Sequence, residues 1–178
     1  MPNRTTFAII PAGGIGKRMH SQNPKQFLTL FDEPILLHTV KALAKTGLIE
    51  KFFIPTVDVV YTKKILNHIK TDLDIVIVKG GKTRQDSITN ALDEIKKLKL
   101  EPEFILIHDS VRVLVQEETI VSVINKAKEK GAAVAAREAS AVCENFHGSC
   151  DVVPGAAAAD AEHVGRESRL GQAGEAEL

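Results

Sequence analysis

Short apolar runs alternate with amphipathic stretches through the first two-thirds of the chain, and this alternation limits the fold more tightly than any other feature. Phe7 to Ile10 is a compact apolar run. Pro34 to Lys45 has a helical rhythm, with Leu36, Leu37, Val40, Leu43 and Ala44 on one face; Pro34 sits in the first turn and Gly47 lies past the end. Lys51 to Val60 contains a second strand, expected to be interrupted at Pro55. Tyr61–Lys70 reads as a helix, and the β-branched run Asp74-Ile75-Val76-Ile77-Val78 as a third strand. Asp86–Leu98 is helical, with Ile88, Leu92 and Ile95 on one face; Glu103–Ile107 is a fourth strand. Glu117–Lys130 is a further helix closed by Gly131, and Ala132–Ala136 is a candidate fifth strand. Strands that are apolar throughout and separated by helices need cover on both faces. The expected fold is α/β, a doubly wound, Rossmann-like parallel sheet with ligands at the carboxyl ends of its strands.

The first strand runs straight into Pro11-Ala12-Gly13-Gly14-Ile15-Gly16-Lys17-Arg18-Met19, followed by Asn23-Pro24-Lys25-Gln26-Phe27. Glycines without a Cβ let a phosphate chain come close to the backbone, and their N–H groups can turn inward as an anion nest. Lys17, Arg18 and Lys25 add full positive charge, and a guanidinium can grip phosphate oxygens with two parallel hydrogen bonds. The stretch is not a P-loop, because the spacing to Gly-Lys-Ser/Thr is missing. A dinucleotide fingerprint would take Gly14 and Gly16 as its first two glycines, but Met19 stands at the third. The glycines alone also suit a tight strand-to-helix turn.

Two further clusters come after later strands. Gly80-Gly81-Lys82-Thr83-Arg84-Gln85-Asp86-Ser87 precedes a helix, whose N-terminus offers unpaired N–H groups and partial positive charge; Asp86 or Ser87 also suits a plain helix cap. His108-Asp109-Ser110-Val111-Arg112 comes directly after the fourth strand. An aspartate there can hold Mg²⁺ through one oxygen while phosphate oxygens complete the shell, or can simply form a turn. Arg112 suits a substrate phosphate, whereas His108 reads as a packed or capping side chain.

The 178 residues and zero formal net charge fit one stable domain and give no electrostatic case for nucleic acid or a membrane surface. No apolar run approaches the roughly 20 residues of a membrane span. Cys143 and Cys150 flank His147, a poor zinc pattern; free thiols in a cytoplasmic protein are the expectation. Composition then breaks. The sixteen lysines all lie at or before Lys130, isoleucine stops at Ile124, and the C-terminal stretch is rich in Ala, Gly and Glu. The expected organisation is a nucleotide-binding domain over residues 1–136 and an aberrant, low-complexity, disordered tail over 137–178, arising from a shifted reading frame or a fusion.

The three clusters, in this order, resemble the sugar-phosphate nucleotidyltransferases. They are most similar to the 2-C-methyl-D-erythritol 4-phosphate cytidylyltransferases and the related ribitol-5-phosphate cytidylyltransferases. The resemblance covers about Phe7 to Ala136. It implies a nucleotidyltransferase-type sheet, incomplete at the C-terminus, and transfer of a cytidylyl group from CTP to a sugar-alcohol phosphate in isoprenoid precursor synthesis. It places Pro11, Ala12, Gly13, Gly14, Gly16, Gly80, Gly81, Arg84 and Ser87 against the nucleotide. Arg18 and Lys25 become the catalytic cations, Asp109 the ligand of Mg²⁺ or another divalent ion, and Arg112 an acceptor contact. The chain departs from the pattern at Val113, where a proline is usual, and at Ser140 and Ala141, near the position of an Asp-Thr pair. Ser110 is common in the ribitol-phosphate relatives. The family's late lysine has no counterpart after Lys130, and the arm through which members form homodimers lies in the part missing here. A nucleotide-binding chain without catalysis therefore stands beside the enzyme reading. A nicotinamide oxidoreductase ranks behind both, since it needs an acidic residue closing the second strand about 20 positions past the glycines, and Asp58 comes too late for that.

Overall fold

The computed structural model describes residues 5–14, 24–67 and 73–136 and divides the chain into two compact units, Met1–Val121 and Ser122–Leu178. The tail expected over 137–178, with Cys143, His147 and Cys150, lies outside the described residues.

In the first unit, β1 (Thr6–Ile9) is followed by a 3₁₀ turn at Lys25–Phe27, the two-residue strands β2 (Thr29–Leu30) and β3 (Glu33–Pro34), and helix α1 (Ile35–Ala44). Then come β4 (Lys51–Thr56), α2 (Val59–Leu66), β5 (Asp74–Lys79), α3 (Arg84–Lys97) and β6 (Phe104–Ile107). Helix α4 (Glu117–Lys130) begins in this unit, and its larger part belongs to the second. Gly131 ends it with φ +88°, a left-handed turn that only glycine adopts without strain.

Four parallel strands form the sheet in the order β5-β4-β1-β6. The chain steps outward from β1 to β4 to β5, then returns past β1 to lay down β6. Because parallel crossovers are right-handed, that reversal sends α3 to the face opposite α1 and α2. It also creates a switch point between β1 and β6, where ligands of such sheets bind. One face packs Phe7, Ile9, Phe53 and Val78 against Ile88, Ala91 and Ile95 of α3. Residues of the other parity, Ala8, Ile10, Phe52 and Ile54, are buried completely. At about 1.5–3 kcal/mol per buried large apolar side chain, β1 and β4 anchor the unit.

The fold class matches the sequence expectation, while several local details differ. Pro55 does not interrupt β4: it stays in register with Val78, and its carbonyl accepts from the Ala12 N–H at 2.7 Å. A proline costs a strand one donor, not its acceptor. Helix α2 starts two residues early because the Asp58 carboxylate caps it, accepting from the Tyr61 N–H at 2.8 Å. The hairpin β2–β3 has no counterpart in the sequence expectation. In the second unit, residues 132–136 form no strand; they are exposed, and their alanine-rich sequence has little apolar area to bury.

Candidate active site

All three sequence clusters leave the sheet at the carboxyl ends of parallel strands. After β1 the chain continues alongside β4, with the Ile10 N–H bonded to the Phe53 carbonyl at 2.9 Å and Ala12 bridged to Thr56. This carries Pro11, Ala12 and Gly13 beyond the strand end. A Cβ on Gly13 would stand 2.8 Å from the Ser87 Oγ, so no other residue lets the first loop meet the second without a shift. Gly14 is exposed, and among the described residues a Cβ there would meet nothing within 4 Å. Gly16 and Arg18 lie outside the described residues. Lys25 sits in the 3₁₀ turn, and among the described residues its ammonium forms no ion pair. The two residues after that lysine hold the turn in place. The Gln26 amide, buried, donates to the Ala12 carbonyl at 2.6 Å, and Phe27 packs edge-on against Tyr61 with ring centres 5.0 Å apart.

The second loop is built around glycines pressed against backbone. The Gly80 N–H donates to the Thr56 carbonyl at 2.7 Å, and a Cβ on Gly80 would lie 3.1 Å from that carbonyl. A Cβ on Gly81 would collide with Asp86. The cap of α3 is Thr83, not Asp86 or Ser87. Its hydroxyl accepts from the Asp86 N–H at 3.0 Å while the Asp86 carboxylate accepts from the Thr83 N–H at 3.0 Å, a complete capping box. Ser87 is buried, its hydroxyl donating to the Thr83 carbonyl at 2.9 Å and accepting from the Gly81 N–H at 3.0 Å. It shapes the loop that carries Gly80 and Gly81.

The third loop starts where the His108 N–H bonds the Ile9 carbonyl at 3.0 Å. Thr39 of α1, fully buried, donates to the Ser110 carbonyl at 2.9 Å across 71 residues, and the Arg112 N–H closes a turn on the Asp109 carbonyl at 3.2 Å. Asp109 then stands between two guanidiniums. Arg84 reaches its Oδ1 with Nε at 3.1 Å and Nη2 at 3.0 Å; Arg112 reaches Oδ2 with Nε at 2.9 Å. Partial burial works against the carboxylate, but the hydrogen bonds from Arg112 and Arg84 outweigh it and hold its pKa below the ordinary value. Burial pushes the His108 imidazole down, so it is neutral near pH 7.

Gly13 against Ser87 joins the first cluster to the second, and Arg84 against Asp109 joins the second to the third. The result is an exposed Gly14, the turn of Lys25 tied to Ala12 through Gln26, and two arginines around one carboxylate, an arrangement suited to polyanions. Among the described residues no group of three His, Cys, Asp or Glu side chains could enclose a metal, and no helix is long and apolar enough to cross a membrane. Sequence reasoning missed the supporting residues. Thr83-x-x-Asp86 is a readable capping pattern, whereas Gln26 and Thr39 betray themselves only as polar residues among apolar neighbours.

The family model described as 2-C-methyl-D-erythritol 4-phosphate cytidylyltransferase matches residues 6–154, past the Ala136 limit of the motif resemblance. An enzyme of that name from Syntrophus aciditrophicus is 37% identical over 146 residues, 79% of this chain and 60% of its own length. A ribitol-5-phosphate cytidylyltransferase from Streptococcus agalactiae is 34% identical, covering 72% of this chain and 55% of its own length. The crystal structure of 4-diphosphocytidyl-2C-methyl-D-erythritol synthase from Anaerococcus prevotii superposes with a TM-score of 0.58 at 25% identity, over 72% of this chain and 53% of that one. The match thus spans little more than half the length of these three relatives.

Proposed function

The chain belongs to the 2-C-methyl-D-erythritol 4-phosphate cytidylyltransferase family, and on that premise we propose that its three loops bind CTP for cytidylyl transfer to 2-C-methyl-D-erythritol 4-phosphate. A phosphate oxygen of the acceptor attacks the α-phosphorus of CTP in line. The bond from that phosphorus to the bridging oxygen breaks, and pyrophosphate leaves. No covalent enzyme intermediate is needed, so the rate rests on positioning and on charge neutralisation.

In this reading Pro11, Ala12, Gly13, Gly14 and Gly16 cradle the phosphates, with Gly80 and Gly81 beside the base. Ser87 braces that second loop. Arg18 and Lys25 neutralise the charge that builds at the α-phosphorus. Arg84 meets the nucleotide and Arg112 the acceptor phosphate. A single carboxylate completed by phosphate oxygens suits Mg²⁺, so Asp109 is the residue that would hold Mg²⁺ or another divalent cation. That ion would supply charge neutralisation on the triphosphate. Supporting the whole assignment is one observation: Arg84, from the second cluster, and Arg112, from the third, converge on Asp109 within 3.1 Å.

A second reading is nucleotide binding without transfer. Calorimetry with CTP and Mg²⁺, combined with a pyrophosphate-release assay on 2-C-methyl-D-erythritol 4-phosphate or ribitol 5-phosphate, separates the two. Release with the first acceptor supports the proposal; binding without release supports the second reading. Lys25→Ala should lower turnover by about 10²–10³, as loss of one oxyanion donor does. Undiminished turnover would remove Lys25 from the mechanism.

A further inference from the structure

Gln26 is fully buried and joins the turn that carries Lys25 to the glycine loop, its side-chain amide meeting the Ala12 carbonyl at 2.6 Å across 14 residues of chain. Few polar side chains in the described core reach so far. The Ala12 N–H is taken by the Pro55 carbonyl, so Gln26 binds a residue whose preceding peptide is already pinned to β4. Phe27, on the other side, is locked against Tyr61 of α2. Lys25 precedes this doubly held pair directly, and its backbone position is set by it. The ammonium itself has no ion pair among the described residues, so among them the backbone of the turn sets its place.

From this we infer that Gln26 is a positioning residue, whose bond to Ala12 sets the distance between the Lys25 ammonium and the phosphates held at Gly13 and Gly14. The inference rests on the reading of those loops as a CTP site. Only a side chain with a donor at this reach serves. Methionine of similar length cannot donate. A glutamate donates only when protonated, and a buried carboxyl facing a carbonyl has its pKa raised.

The test measures CTP affinity by calorimetry on the full chain with Mg²⁺, for wild type, Gln26→Met and Gln26→Glu, between pH 8 and pH 5.5. Melting without nucleotide is recorded for each. A lost buried hydrogen bond predicts CTP binding weakened about tenfold or more in Gln26→Met at every pH. Gln26→Glu should be weakened at least as much at pH 8, and its ratio to wild type should recover as pH falls. A purely structural role would lower the melting point of both variants without that pH-dependent recovery. Variants that bind CTP like wild type, or a Gln26→Glu deficit independent of pH, overturn the role of Gln26 while leaving the CTP site standing. A wild-type chain that binds no CTP overturns the site reading itself, and the inference with it.

Discussion

At Asp109 one carboxylate decides how two arginines are held. Replacing it by asparagine keeps the shape and removes the charge, so Arg84 and Arg112 lose their partner. Asp109→Asn should abolish the gain in CTP affinity that Mg²⁺ gives, while metal-free CTP binding stays equal or tightens. Calorimetry with and without Mg²⁺ reads this directly, and an unchanged Mg²⁺ effect would place the metal elsewhere. His108 makes a different prediction. Its folded pKa lies below the ordinary 6.5 because burial disfavours the charged ring. The unfolded chain therefore takes up the proton first as pH falls. The stability contributed is complete above about 6.5 and is lost as pH drops through that value toward the folded pKa. Melting points between pH 8 and pH 5 should fall, and should fall less steeply in His108→Asn. Phe31 and Asp32 form the turn between β2 and β3 with φ of 49° and 63°, and Phe31 is 87% exposed. A left-handed conformation costs a bulky residue about 1–2 kcal/mol. Asn-Gly is the favoured pair for such a turn, so Phe31→Asn with Asp32→Gly should raise stability by about 1–2 kcal/mol in denaturant unfolding.

Elements are readable where period and length agree. Helix α4 occupies the predicted Glu117–Lys130, because four apolar positions, acidic residues at its start and Gly131 after its end all point one way. β1, β5 and β6 lie within one residue of expectation, since apolar runs this short are too brief for a helix. Pro55 misleads because its lost donor suggests a break, whereas its acceptor still serves the ladder. The β2–β3 hairpin is invisible in the sequence because two-residue strands carry no period and Phe-Asp is not a turn signature. Residues 132–136 resemble a strand in composition alone. Of the site, the glycine and arginine positions are legible as motifs. The Arg84–Asp109 contact is not, since 25 residues separate the pair and only the crossover from β5 to β6 brings them together. The same holds for Thr39, which ties α1 to the Asp109–Arg112 turn. Thr39→Val leaves the Ser110 carbonyl unpaired and should cost about 1–3 kcal/mol in unfolding free energy, with Thr39→Ser recovering most of it.

For the molecule as a whole, the order β5-β4-β1-β6 matters more than any single contact. It is the reversal at β1 that sets the β1 and β6 loops side by side, with the β5 loop reaching Asp109 through Arg84. Fold and family rest on that frame and on the matched residues 6–154. The chemistry proposed for it depends on CTP lodging between the three loops. A ligand that binds only the folded state raises the melting point by mass action. The most direct measurement is therefore thermal melting of the full chain with Mg²⁺ and each of CTP, UTP, GTP and ATP at equal concentration. The account predicts that CTP raises the melting point by several degrees, more than the other three. A CTP shift no larger than that of inorganic sulfate would contradict it.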